Sequence, residues 1–379
     1  MNIFWITKLT DDTLHKISQL EMVEELRKRG HTVTIVMAKN FGEKKLIKNE
    51  TLYLPTISHP ILSGLIFGLV IFFCFPFIIR KKQVDIVIIN QDVWLPFTLT
   101  LKFNKFPLIL DIRSIPIDKK RSILRDIALS LSKYLINGLT TITPELCEFL
   151  KERYKLQQMR TAIWSSGFSM KNFNSQMVKQ DINITKDSDT FIVLYHGSYS
   201  PTRGIEELIQ AMAIIKDPLQ KKIKLLMIGF SADVIAKLSD ICKKIHVNEQ
   251  VIFVPPVRYQ DIPSYISFSD VGIIPLPPEN KWWRVSSPLK TLEYLAMNKP
   301  IIATNIPFHE RLFKLGECGV LVKEGNPKAL AQAITHIYQN KEKLNQMGKV
   351  GREIVEKYYS WDSKALELEK FLQTILKSH

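Results

Sequence analysis

Cysteine is scarce in this sequence and never clustered. Four are spread over 379 residues, at Cys74, Cys147, Cys242 and Cys318, with no CxxC pair, which excludes a disulfide framework and a thiolate zinc site and suits a reducing compartment. The eight histidines include no HExxH motif and no i,i+4 pair, so no metal site is expected. There is no internal repeat and no low-complexity tract. The first loop, TKLTDDTLH, lacks a GxGxxG, so a dinucleotide fingerprint is missing from this half. Met1 runs straight into the strand-like NIFWI, so no cleavable leader is expected.

Acidic charge is also short. The chain carries 52 Lys+Arg against 37 Asp+Glu, a formal +15. Residues 1–170 hold 24 basic and 15 acidic side chains, a net of +9, leaving 28 − 22 = +6 for the remainder. The basic residues gather at Arg27-Lys28-Arg29, Arg80-Lys81-Lys82 and Lys119-Lys120-Arg121. Such clusters suit nucleic acid, an anionic membrane surface or a phosphorylated ligand. The stacking aromatics of nucleic-acid modules are not evident beside them, which leaves membrane or phosphate. A hydrophobic fraction of 46% excludes a disordered chain.

One apolar run stands out. Ile61–Ile79, ILSGLIFGLVIFFCFPFII, has no charge and ends at Arg80-Lys81-Lys82. Its length qualifies it as a membrane span, yet the strands on either side, TVTIVM (32–37) and VDIVIIN (84–90), belong to one sheet and cannot pair across a bilayer. The expectation is a helix or helical hairpin at about 60–80, dipping into one leaflet and anchored by its basic triplet. The competing reading is a buried core helix.

Strand and helix patterns alternate along the whole chain. NIFWI, TVTIVM, VDIVIIN, FPLILDI (106–112), GLTTIT and TAIWSS form a first series. FIVLYHG (191–197), KIKLLMIG, QVIFVPPV, DVGIIPL and PIIAT form a second. Each series predicts a doubly wound parallel sheet in an α/β fold. The expected organisation is a first domain over 1–170, a polar linker over 171–189, a second domain over 190–358 and a closing helix over 359–379 that packs back on the first.

Two stretches of the second half carry chemistry. In SSPLKTLEYLAMNKPIIAT (286–304), Ser287 is a good N-cap and Pro288 suits the first helical position. Asn298 then Pro300 stop the helix. Lys290 and Glu293 share a face of its first turn. A cation for phosphate beside a carboxylate for two hydroxyls suits a nucleotide's diphosphate and ribose; an ordinary surface helix with an ion pair fits equally. In YHGSYSPTRGIEELIQAM, a buried strand ends at Gly197, where backbone can approach a ligand, and Arg203 offers a planar fork for phosphate. A plain strand-to-helix turn is the alternative. Asp187-Ser188-Asp189 imitates a manganese-binding DxD but precedes its hydrophobic strand, so it reads as a solvated turn. His196 and Tyr195 at the strand end fit either ligand contact or packing, as does Trp282-Trp283-Arg284 ahead of the helix.

Arg203-Gly204, SSPLKTLEYLAMNKPIIAT, SSGFSMKNF (165–173) and GHTVTIV together resemble family-4 glycosyltransferases. The resemblance runs from Gly30-His31 to Trp361-Asp362. It implies the GT-B fold: two Rossmann-like domains facing across a cleft, the first for acceptor and the second for a nucleotide-sugar donor. The family's G-R-x4-K-G loop falls on Gly197 to Gly204, with Arg203 in place of the phosphate-binding lysine and Ser198 in place of the arginine. The ribose-binding glutamate of its Glu-x7-Glu motif falls on Glu293, and Val285 replaces the first glutamate, as in a subgroup with SPxKxxEYxAxxKP that has Lys290 instead. Backbone near Pro255-Pro256 would bracket the nucleobase. The family's catalytic-region histidine falls on Arg113, two residues after Asp111. The resemblance thus implies catalytic roles for Arg203, Lys290, Arg113 and Asp111, and donor contacts from Gly197, Ser198, Arg203, Pro256, Ser287, Lys290 and Glu293. It implies metal-independent transfer with retention and no cofactor beyond the donor. With the apolar insertion, the expected acceptor is a lipid-linked or membrane-proximal glycan at the cytoplasmic face of the cell membrane, in polysaccharide or glycoconjugate biosynthesis. A nucleotide-sugar epimerase of the same fold, and a non-catalytic subunit recruiting a partner to the membrane, are the alternatives.

Overall fold

The computed structural model describes the chain except residues 9–15, 41–49, 58, 60–61, 82, 91–105, 116–118, 175, 177, 179–181, 183 and 279–280. Most of the first loop, Lys82 of the basic triplet and parts of the 171–189 segment therefore lie outside the described residues. The chain divides into two compact units: Met1–Ser166 with Trp361–His379, and Gly167–Ser360.

In the first unit the order is β1 (Asn2–Thr7), α1 (Lys16–Lys28), β2 (Thr32–Asn40), β3 (Thr51–Thr56), α2 (Leu62–Lys81), β4 (Ile86–Asn90), β5 (Leu108–Ile112), α3 (Lys119–Leu135), β6 (Gly138–Thr141), α4 (Pro144–Tyr154) and β7 (Thr161–Ile163). These strands make one sheet in the order β3-β2-β1-β4-β5-β6-β7, every pair parallel. Parallel strands are covered on both faces and so read as unbroken apolar runs; Ile86–Ile89 and Leu108–Ile112 are buried throughout. The β1–β2 crossover runs one way across the sheet, and the β3–β4 and β5–β6 crossovers run the other way. Right-handed connections therefore put α1 on one face and α2 with α3 on the opposite face.

The apolar insertion is a single helix, α2, with Pro76 inside it; no hairpin forms. One side packs inward through Phe67, Ile71 and Phe75, and Phe75 meets Phe4 of β1 edge to face at 6.1 Å. The other side is exposed. The core reading therefore does not describe the whole helix.

The second unit runs β8 (Phe191–His196), α5 (Ile205–Ile214), β9 (Ile223–Ile228), α6 (Ala232–Lys244), β10 (Val251–Val254), α7 (Ile262–Phe268), β11 (Val271–Ile274), α8 (Leu289–Ala296), β12 (Ile301–Thr304), α9 (Pro307–Phe313), β13 (Gly319–Val322), α10 (Pro327–Gln339) and α11 (Leu344–Tyr359). Its parallel sheet has the order β10-β9-β8-β11-β12-β13. Alternate residues of β8 feed two cores. Phe191, Val193 and Tyr195 join α5 and α10 on one face, while Ile192 and Leu194 join α8 on the other. Phe168 and Phe173 are buried in that second core, so the start of the polar segment is packed structure. The chain then returns: α12 (Trp361–Lys377) belongs to the first unit, where Glu369 takes the Arg29 guanidinium at 2.6 Å and His31 at 3.1 Å.

Candidate active site

The topological switch of the second sheet falls at β8, whose neighbours β9 and β11 are reached by crossovers in opposite directions, and the carboxyl end of such a strand is where this architecture places ligands. β8 ends at His196, and Gly197 follows with φ +129°. The loop then winds through a short 3-10 turn, Pro201–Arg203, to Gly204 at φ +68°, which caps α5. Gly204 admits no side chain: a Cβ there would sit 1.6 Å from the Pro275 carbonyl oxygen. The turn is pinned from outside, because Trp283 Nε1 donates to the Thr202 carbonyl at 2.7 Å. This gives Trp283 of the Trp282-Trp283-Arg284 run a structural task.

Helix α8 delivers the second set of groups. Pro288, with ψ 117°, takes the N-cap position and the helix begins at Leu289. The expected Ser287 cap is therefore corrected by one residue: Pro288 is still extended, so Ser287 lies beyond the helix, buried. Asn298 adopts the left-handed conformation, φ +56°, that ends the segment. The helix is tied to β8 by Tyr294, whose hydroxyl donates to the Leu194 carbonyl at 2.9 Å and accepts from the His196 N–H at 3.1 Å. Tyr294 reaches across β11 only because residue 272 is glycine; a Cβ there would stand 2.3 Å from its ring.

Arg203, Lys290 and Glu293 are thereby brought to one place. A Cβ on Gly197 would lie 3.0 Å from Lys290 Nζ and 3.5 Å from Arg203 Nη1, so both cations close on the bare Cα of that glycine. Lys290 Nζ stands 3.9 Å over the Tyr195 ring, a cation–π contact that helps hold the ammonium. Burial lowers the Lys290 pKa, and the Arg203 guanidinium pushes the same way. Glu293, one turn on, is 4% exposed. Its Oε1 accepts from the Tyr259 hydroxyl at 2.7 Å, and its Oε2 lies 3.3 Å from His196 Nε2. Burial raises the Glu293 carboxyl to about 7, against the pull of Tyr259 and Lys290. His196 is driven the other way, to about 3, by burial and by Lys290, so it sits as a neutral imidazole. The result is two cations next to exposed backbone, then a carboxyl held between a phenol and an imidazole.

The other expected donor contacts are distributed less tightly. Ser198 and Pro256 are exposed, Ser198 beside Gly197 and Pro256 after β10. Val285 closes a 3-10 turn ahead of α8. Asp187 and Asp189 form a turn, with the Thr190 N–H bonded to the Asp187 carbonyl at 3.0 Å and Asp189 3.8 Å from Lys222. Among the described residues no three His, Cys, Asp or Glu side chains assemble as a metal site.

Asp111 and Arg113 belong to the first unit, at the end of β5. Asp111 is fully buried and accepts from Thr140 Oγ1 at 2.7 Å and Trp164 Nε1 at 3.0 Å; burial raises its pKa, with Arg113 opposing. The Arg113 guanidinium lies 3.4 Å over the Trp164 indole and donates to the Trp164 carbonyl, and burial brings its pKa down to about 10. The structure gathers these two residues around Trp164, and Arg203, Lys290 and Glu293 around Gly197.

A model of the family described as glycosyl transferases group 1 matches residues 178–354, which hold the whole Gly197 cluster. The capsular polysaccharide biosynthesis glycosyltransferase CapM of Staphylococcus aureus is 29% identical over 191 residues, 50% of this chain and 48% of CapM. Three further curated relatives are covered over 61%, 40% and 60% of their own length. Among solved structures, sucrose-phosphate synthase from Thermosynechococcus elongatus superposes with a TM-score of 0.76 at 18% identity, covering all of both chains. Anabaena Alr3699/HepE in complex with UDP and glucose gives 0.72 at 14% identity, covering 99% of this chain and 100% of the other. These likenesses establish the GT-B fold of two Rossmann-like units.

Sequence reasoning left four contributors unassigned or missed them. Tyr195 and His196 were divided between ligand and packing, and Tyr259 carried no signal at all, since VRYQD has no periodicity. Tyr294 lay in a recognised helix without a role, because its partners are backbone atoms about a hundred residues earlier.

Proposed function

We propose that the second unit binds a nucleotide-activated sugar and that the protein is a glycosyltransferase. The observation that carries this reading is the closure of Arg203 and Lys290 on Gly197, with Glu293 one helical turn away. Two cations beside bare backbone suit a diphosphate, and a buried carboxyl beyond them suits two ribose hydroxyls. The fold neighbour whose structure holds UDP and glucose supports the same class of donor.

The chemistry follows from charge. Breaking the bond between the anomeric carbon and the phosphate oxygen leaves negative charge on the departing diphosphate and positive character on the sugar. Arg203 and Lys290 stabilise that departing charge without a metal ion. An acceptor hydroxyl forms the new bond to the anomeric carbon, and its proton passes to the phosphate oxygen that leaves. Glu293, held by Tyr259 and beside His196, is assigned to the ribose and is no nucleophile. With the retention that the family resemblance implies, and no carboxylate nucleophile assigned, attack on the leaving-group face is the course we assign. Arg113 and Asp111 of the first unit are assigned the catalytic roles that the family resemblance implies, and Ser198, Pro256 and Ser287 the donor contacts. The acceptor is a lipid-linked or membrane-proximal glycan at the cytoplasmic face of the cell membrane. The name of CapM supports a place in polysaccharide biosynthesis.

The test is calorimetric titration with uridine and guanosine diphosphates, followed by transfer assays with a panel of sugar nucleotides and polyprenyl-diphosphate glycans. Binding of one nucleoside diphosphate is expected, and Glu293→Ala should weaken donor use by an order of magnitude or more, about 1.4 kcal/mol upward. Failure of every nucleoside diphosphate to bind sinks the reading. Turnover of a donor with no acceptor present would favour an epimerase instead.

A further inference from the structure

Helix α2 exposes Leu62, Leu65, Leu69, Phe73 and Phe77, between 42% for Leu69 and 67% for the two phenylalanines. Their spacing of three and then four residues makes one continuous stripe, along a helix roughly 30 Å long. Its opposite side, Phe67, Ile71 and Phe75, is fully packed on the sheet. Helix α3 carries a second stripe, Ile127, Leu131 and Tyr134, at 50%, 44% and 65% exposure. The two helices cover the same face of the first sheet, so both stripes look out from one side of the unit.

The charges carried by the two helices are mainly basic. No acidic residue occurs in α2, and Arg80-Lys81-Lys82 follows the last exposed phenylalanine. The sequence Lys119-Lys120-Arg121 opens α3, and Lys133 near its end is exposed. Asp126, the one acidic residue of that helix, is engaged by Arg153 Nη2 and by the Tyr154 hydroxyl, at 2.7 and 2.5 Å. Water solvates such apolar stripes poorly, and monomeric soluble surfaces seldom keep them contiguous.

We propose that this face is a membrane-docking surface on which α2 and α3 lie in the plane of an anionic bilayer, their apolar stripes entering the acyl region and their basic clusters meeting the headgroups. Charge decides the occupant. A second copy of the chain would bring the same basic clusters against one another, whereas anionic lipid neutralises them. Topology decides the pose. The ends of α2 join β3 and β4, which are members of one sheet, so the helix cannot place them on opposite sides of a bilayer. The docking surface does not depend on the donor reading, because vesicle binding is measured without any sugar nucleotide.

The experiment is co-sedimentation of the full chain with vesicles of phosphatidylcholine alone or mixed with phosphatidylglycerol. Binding to the mixed vesicles is expected, weakened by salt and by Arg80→Glu with Lys81→Glu. The exposed pair Phe73→Glu with Phe77→Glu should lower vesicle affinity by at least roughly tenfold while leaving the circular dichroism and the melting temperature unchanged. As an independent readout, Phe73→Trp should show a blue-shifted emission on mixed vesicles that is quenched by bromine-labelled acyl chains. No binding to either vesicle overturns the proposal. So does binding indifferent to the phenylalanine pair, or a change of dimer to monomer in that variant with vesicle binding intact. Retention in vesicles through alkaline carbonate extraction would mark a spanning helix and overturn the in-plane pose.

Discussion

Gly197 holds φ +129° with Lys290 Nζ almost touching the space a side chain would need. Gly197→Ala therefore carries a backbone strain of about 1–3 kcal/mol and also pushes the ammonium away. Gly30, at φ +85° with nothing within 4 Å of its missing Cβ, is the control for strain alone. Both alanine variants should melt lower, and of the two only Gly197→Ala should lose nucleotide affinity by calorimetry. The titrating pair beside it gives a second expectation. Glu293 is raised from 4.5 to about 7, so between those values the folded state holds a proton the unfolded state has lost. Its contribution to stability is lost as pH rises through that window. His196 is lowered from 6.5 to about 3, so the unfolded state holds the extra proton there and stability rises with pH. The two slopes oppose each other where they overlap. Glu293→Gln should remove the falling slope and unmask the rising one, a relative change on the order of 1–3 kcal/mol between about pH 5 and pH 7, read from urea midpoints. A midpoint difference between variant and parent that does not vary with pH would refute this assignment.

At the scale of elements, the site exists because α8 is docked at one fixed height against β8. Tyr294 sets that height through two backbone groups at the end of the strand, and Gly272 makes room for its ring. Tyr294→Phe keeps the ring and leaves a buried carbonyl and a buried N–H short of a partner, at a cost of about 1–3 kcal/mol. The expected outcome is a lower melting temperature together with weaker nucleotide binding, since Lys290 and Glu293 ride on the same helix. Loss of stability with unchanged affinity would show that the height of α8 is not what places those groups.

For the whole molecule, the chain leaves the first unit at Ser166 and comes back at Trp361. Helix α12 buries Trp361, Ala365, Leu368, Phe371, Leu372 and Ile375, and Gly138 of β6 is glycine partly because Phe371 Cζ would meet a Cβ there at 2.7 Å. At about 1.5–3 kcal/mol for each large apolar side chain, losing this helix removes an amount comparable to the full stability of a domain. Ending the chain after Ser360 should unfold the first unit and spare the second. Limited proteolysis is expected to yield a resistant fragment near residues 167–360 that still binds the nucleoside diphosphate; a truncated chain as resistant as the full one in its first half would contradict this.

Local chemistry in the sequence determined a good deal. Unbroken β-branched runs are what strands buried on both faces require, so eleven of the thirteen described strands were legible in their order along the chain; the edge strands β3, only partly buried and carrying Pro55, and β13, half-buried, were not. Arg203, Lys290 and Glu293 were legible too, because each sits within one turn of a strand end or helix start whose residues announce it. Contacts between distant segments were decided only by folding. Tyr259 meets Glu293 and Tyr294 meets Leu194 across 34 and 100 residues, and no periodicity encodes such pairs. The same holds for α2. Its composition said apolar on all sides, and only packing against β1 determined which half became core and which half was left facing outward, because burial is a property of neighbours and not of residues.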